Sequence, residues 1–140
     1  MTDATEILRD ARHVVVQDYP DRDIPDSLTR AGFTVTIYGG PDEADIVVSE
    51  LVDGDIVHRQ TGRRPESADL LYVYRPLAEI DGILADAHRL GVRTIWRQPD
   101  VGDGPDPDAA AWRNRVEEAG FAYRDAPAIN DVARLLPSDR

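Results

Sequence analysis

The sequence predicts an α/β sandwich in three layers, with a mostly parallel sheet of about five strands and helices on both faces. Three observations predict it. Strand-like and helix-like segments alternate along nearly the whole chain. The runs at residues 14–16 and 70–74 are continuously apolar, as strands covered on both faces are. The length of 140 residues is enough for one core and leaves no room for a second, so residues 1–140 are read as a single domain.

The opening segment puts Asp3 and Glu6 at capping-box spacing, ahead of Ile7, Leu8 and Ala11 on one face of a short helix. Residues 14–16 form the first strand. A polar turn from Gln17 then feeds a helix over residues 25–31, with Leu28 and Ala31 inward and Gly32 as its left-handed stop. Residues 33–38, FTVTIY, alternate and are rich in β-branched side chains, the pattern of a second strand that Gly39, Gly40 and Pro41 end. In DIVVSELVDGDIVHRQ, two β-favouring runs flank Asp53 and Gly54, a strong signal for a tight hairpin.

The loop TGRRPES follows, and residues 70–74 make the next strand of the sheet. Pro76 is placed as the first residue of a helix whose inward positions are Leu77, Ile80, Leu84 and Ala87, ending at Gly91. Residues 93–96 give the fourth strand. After the loop QPDVGDGPDPD, Asp106 reads as a cap and Pro107 as a first-turn proline. Ala109, Trp112, Val116 and Ala119 then face inward, and Gly120 closes that helix. Residues 121–123 form a short last strand, and Asn130 caps a final helix through Leu136.

Composition narrows the chemistry. All 16 basic residues are Arg, and there is no Lys and no Cys. That excludes a Walker A lysine, a Schiff-base lysine, disulfides and thiolate metal sites. The net charge of −11 repels nucleic acid and anionic membrane, so neither is expected as a general partner, and composition names no protein partner. No apolar run approaches the ~18 residues a membrane span needs. The N-terminus lacks the basic start and apolar core of a signal peptide, so a cytoplasmic location is expected. Asp outnumbers Glu by 20 to 7, which fits a high-salt cytoplasm or a GC-rich genome equally well. Stability measured against KCl separates the two.

The turn after the first strand lies at the carboxyl end of a central strand, where nucleotides bind in open α/β sheets. It lacks the G-x-G-x-x-G fingerprint, which ranks a nicotinamide enzyme last. Asp18, Asp21, Asp23 and Asp26 could hold a cation beside a phosphate, but acids at a helix start explain them better. Asp100, Asp103, Asp106 and Asp108 depart from calcium-loop spacing, so no metal site is expected. Arg59, Arg63 and Arg64 suit either a phosphate or a solvated loop, while Arg75 ends a central strand at the ligand edge. His13, His58, His88 and Ser27 assemble no nucleophile, base and orienting acid, so no catalytic residue is expected and the protein is not read as an enzyme. Trp96 and Trp112 read as core, with Trp96 also at a strand end.

Several landmarks occur in one order: a helix before VVV, then AGFTVTIYGGP, VDGDIVH, ADLLYVYRP and GVRTIWRQPDVG. In that order, from Thr5 to Leu136, the chain resembles the small stand-alone coenzyme A-binding proteins. These are Rossmann-like domains similar to the nucleotide-binding domain of succinyl-CoA synthetase α subunits. The resemblance implies coenzyme A across the carboxyl ends of the strands; with no catalytic set assembled, the expected function is non-catalytic binding of coenzyme A or an acyl-CoA. It implies contacts from Gln17, Asp18 and Tyr19, from Gly39, Gly40 and Pro41, from Tyr74, Arg75 and Pro76, and from Trp96 and Gln98. Gln17 stands where the family has a glycine. The alternative is a descendant that binds no nucleotide and acts as a protein-interaction or oligomerisation domain.

Overall fold

The computed structural model of the protein describes residues 4–19, 23–38, 46–98, 107–125 and 129–134. In chain order these form α1 (Ala4–Asp10), β1 (His13–Gln17), α2 (Asp23–Arg30), β2 (Thr34–Tyr38), β3 (Ile46–Val52) and β4 (Asp55–Gln60). Then come β5 (Leu70–Val73), a 3-10 turn (Leu77–Glu79), α3 (Ile80–Leu90), β6 (Thr94–Arg97), α4 (Ala109–Glu118), β7 (Ala122–Arg124) and α5 (Ile129–Ala133). The strands make one sheet in the order β4-β3-β2-β1-β5-β6-β7.

β1 is central because its three valines leave nothing for solvent: Val14, Val15 and Val16 are all fully buried. Val14 and Val16 face one core, shared with Leu8 of α1, Leu28 of α2 and Ile129 of α5. Val15 faces the other, shared with Ile83 and Ala87 of α3 and Trp112 and Val116 of α4. Helices therefore cover both faces, as expected.

The sheet itself corrects the expectation. It has seven strands rather than about five, and it is mixed. β2, β1, β5, β6 and β7 run parallel, whereas β2–β3 and β3–β4 are antiparallel. The reason is chain length. Between Tyr38 and Ile46 there are too few residues for a crossover, which takes a dozen or more, so β3 can pair with β2 only by reversing. Asp53 and Gly54 then reverse the chain again, with φ of 51° and 86°, the left-handed pair that a two-residue hairpin turn requires.

Smaller differences concern helix starts. Pro76 caps the 3-10 turn in extended conformation instead of opening α3. Asp108 is the N-cap of α4, and Asp106 lies outside the described residues. Asn130 sits inside α5 and donates its side-chain amide to Asp23 at 3.1 Å, while Leu136 lies outside the described residues. No helix among the described residues is long and apolar enough to cross a membrane.

No helix connects β4 to β5. The loop over residues 61–69 makes that crossing, tied by the Thr61 N–H to the Ile46 carbonyl at 3.0 Å and by the Asp69 N–H to the His13 carbonyl at 2.9 Å. Arg89 of α3 holds its middle through the Pro65 carbonyl at 2.8 Å.

Candidate functional site

β1 leads out to β2 on one side, and β5 leads out to β6 on the other. The strand order reverses between β1 and β5, and the crevice at their carboxyl ends is where an open α/β sheet takes a ligand. Gln17, Asp18 and Tyr19 stand at the end of β1, Tyr74, Arg75 and Pro76 follow β5, and Trp96 and Gln98 end β6. The fold thus brings these residues to one edge of the sheet. Gly39, Gly40 and Pro41 lie outside the described residues.

The backbone carries the edge one residue past the strands, since the Tyr74 N–H donates to the Gln17 carbonyl at 3.0 Å. Likewise the Gln98 N–H donates to the Val73 carbonyl at 2.8 Å. Gln17 does not obstruct the mouth: its side chain is buried and donates to Asp86 of α3 at 2.9 Å. The left-handed position is one residue later, at Asp18, with φ of 66°. Asp tolerates this region better than most residues because its short side chain bonds locally.

The Asp18 carboxylate does two things there. One oxygen accepts the Tyr19 N–H at 2.8 Å, and the other accepts Arg75 Nη1 at 3.1 Å. Arg75 Nη2 meanwhile donates to Glu79 at 2.5 Å. These bonds hold the guanidinium's pKa above its ordinary value, the one to Glu79 most strongly, with partial desolvation opposing and Asp18 contributing less. The three side chains remain close to half exposed, so the ion pairs add at most about 1 kcal/mol each to stability. Their summed charge is −1, two carboxylates against one guanidinium.

Trp96 is 1% exposed and belongs to the core beside Tyr72. Tyr19 and Tyr74 pack against that same core from its rim. Tyr72 reaches the edge through its hydroxyl, which donates to Gln98 Oε1 at 3.4 Å.

Sequence reasoning missed Arg97. It is only 6% exposed at the end of β6, with its guanidinium carbon 5.1 Å from the Trp112 ring centroid and Nη1 3.3 Å from the Tyr123 hydroxyl. Tyr123 in turn donates to Asp125 at 2.9 Å. Burial pushes the Tyr123 phenol up to about 12, with Arg97 opposing and Asp125 adding to the rise. The available signal was a basic residue ending an apolar strand, the pattern that also singled out Arg75.

Arg59, Arg63 and Arg64 are not part of this edge. With Glu50, they line a cavity of about 450 Å³ between the 61–69 loop and the sheet face, reaching His13 and Thr34 at the starts of β1 and β2. Arg59 is paired there with Glu50 at 3.0 Å. His13 lies 2.6 Å from the Thr36 hydroxyl, and burial lowers its imidazole pKa below 6.5 against a backbone hydrogen bond at Ser67 and the charge of Asp69. The unfolded chain therefore takes up this proton more readily than the folded one. His13 leaves stability intact above pH 6.5 and erodes it as the pH falls below. His13→Gln should flatten the acid side of the stability–pH profile measured by urea denaturation; an unchanged profile would remove His13 from the account.

The other histidines have structural surroundings. His58 Nδ1 lies 2.6 Å from the Ser49 hydroxyl, and the His88 ring meets Phe121 tilted at 53°, with centroids 4.7 Å apart. Among the described residues, no group of three His, Cys, Asp or Glu side chains is arranged to hold a metal ion.

No protein-family description and no curated protein matches the chain. Among solved structures, it is similar to a crystal structure of a protein of unknown function from Methanothermobacter thermautotrophicus, at 12% identity and a TM-score of 0.48. That likeness covers 91% of this chain and 92% of that one.

Proposed function

We propose that the carboxyl edge of β1, β5 and β6 binds coenzyme A or an acyl-CoA, in a stand-alone Rossmann-like domain that does not itself catalyse a reaction. One observation carries the reading: a backbone N–H and a guanidinium, from Tyr19 and Arg75, converge on a single carboxylate at the point where the strand order reverses. Donors that hold a carboxylate there can hold a phosphate oxygen, and Arg offers a planar fork suited to it. The ligand's phosphate would displace Asp18. The choice of coenzyme A comes from the landmark motifs, with any adenine packed near Tyr74 or near Gly39 and Gly40, which lie outside the described residues.

A second reading, a protein-interaction or oligomerisation domain without a nucleotide, draws on the same carboxylate, because Asp18 already occupies the donors. Thermal shift in molar KCl with coenzyme A, acetyl-CoA, NAD and ATP separates them. Salt at that level cuts the Debye length to ~3 Å and suppresses repulsion between the anionic ligands and the −11 chain. Coenzyme A at 100 times its dissociation constant adds ~2.7 kcal/mol. A shift with NAD or ATP alone would replace coenzyme A as the ligand, and no shift with any of the four would favour the second reading.

A further inference from the structure

Independently of any ligand, we propose that two copies of this chain join through the free edge of β4, antiparallel about Val57, to form one continuous sheet.

The first argument is exposure. Leu51, Val52 and Val57 are the large hydrophobic residues left exposed among those described, and all three lie in the β3–β4 hairpin at the sheet's outer edge. Among the described residues, no strand pairs with β4 on its other side. It also carries no Pro, no Lys and no bulge, devices that ordinarily blunt an edge.

The second argument is which backbone groups are free. A two-residue turn makes Val52 and Asp55 the pair that exchanges both hydrogen bonds. Alternation then turns the amides of Val57 and Arg59 towards β3, consistent with the Thr61 N–H bonding the Ile46 carbonyl further along. The N–H and C=O of Ile56 and His58 face outward. A second β4 can therefore pair only in registers that match outward groups with outward groups.

The third argument selects the register. Antiparallel pairing centred on Val57 sets Val57 against Val57 and Ile56 against His58. It sets Asp55 against Arg59 twice by symmetry. Ile56 and His58 exchange the hydrogen bonds. Val57 with Val57, and Asp55 with Arg59, are then non-hydrogen-bonded pairs, in which side chains come closest. Isolated charges on an edge strand would serve as protection. Here their signs are opposite at positions symmetric about an exposed valine, which makes the edge complementary to itself. Arg59 already binds Glu50 at 3.0 Å with one nitrogen and has further donors for the partner's Asp55.

The net charge of −11 on each copy opposes association at low salt, so dimerisation should strengthen as KCl rises. The test is sedimentation equilibrium on the full chain at ~0.15 M KCl, where a Debye length of ~8 Å damps the net repulsion but leaves contacting charge pairs effective. Wild type should be dimeric. Asp55→Arg and Arg59→Asp should each be monomeric alone, since each sets like charges opposite one another twice; the dissociation constant should rise about tenfold or more. An equimolar mixture of the two variants should regain the dimer, because both cross-strand pairs become complementary again. Val57→Lys, as an independent variant, should also be monomeric. Circular dichroism would verify that each variant keeps its fold. A monomeric wild type, a dimer indifferent to Asp55→Arg and Val57→Lys, or a mixture no more associated than its components would overturn the proposal. Each of these leaves the ligand reading at the other edge untouched.

Discussion

Trp112→Ala is expected to lower stability by about 3–5 kcal/mol, the range for emptying a large aromatic site in a core. Trp112 is fully buried and, with Val116, supplies the buried residues of α4. The other attachments of the helix are peripheral: Arg113 lies over the Tyr123 ring at 4.9 Å, and Arg115 pairs with Asp81 of α3. Its seat on the sheet is an indole packed beside Val15, Ile95 and Tyr123. The same ring lies against Arg97, whose guanidinium carbon is 5.1 Å from its centroid. Truncation therefore leaves a cavity beside a buried cation, and both the lost contacts and the lost cation–π attraction count against the variant. Trp112→Phe should cost much less: it keeps an aromatic face over Arg97, and the indole Nε1 gives up no hydrogen bond among the described residues. Urea denaturation compares the three proteins. A Trp112→Ala loss below about 1 kcal/mol would mean that α4 is held mainly by something else.

How much of this the sequence carried can be seen residue by residue. The unbroken VVV and LLYV runs announced strands buried on both faces, because no alternating strand could afford them. Gly32, Gly91 and Gly120 announced helix ends, and all three have positive φ. Asp53-Gly54 announced the hairpin. What local pattern could not carry was the partner of that hairpin. Pairing with β2 is decided by the length of the connection after Tyr38 and by where the sheet has a free edge, and neither is a property of the hairpin's own residues. The burial of Arg97 was illegible for a similar reason, although its place at a strand end was not. A buried guanidinium needs an aromatic face and a hydroxyl around it, and these arrive from α4 and β7. The candidate edge was legible as a set of strand ends, since strand ends follow from topology. The direction of each side chain was not: Gln17 was expected at the mouth and instead bonds α3, which shifts the special backbone position to Asp18.

That shift supplies the sharpest expectation for the proposed site, because Asp18 and Arg75 should act in opposite directions although they bond one another. Arg75→Ala removes a charge-assisted donor to the ligand's phosphate, worth about 1.5–3 kcal/mol. Coenzyme A binding measured by calorimetry in high salt should weaken by about ten- to a hundredfold. Asp18→Gly removes the carboxylate that competes for the Tyr19 N–H and the guanidinium, and glycine takes a φ of 66° without penalty. Affinity should rise, on the order of tenfold, which corresponds to ~1.4 kcal/mol of competition relieved. The fold should barely notice, since an exposed pair contributes at most about 1 kcal/mol. A pair that only braces the loop behaves differently: loss of either partner loosens the same structure, and both variants shift binding the same way or not at all. Equal signs would therefore return Asp18 and Arg75 to the scaffold, whereas opposite signs would identify the carboxylate as the occupant a phosphate must replace.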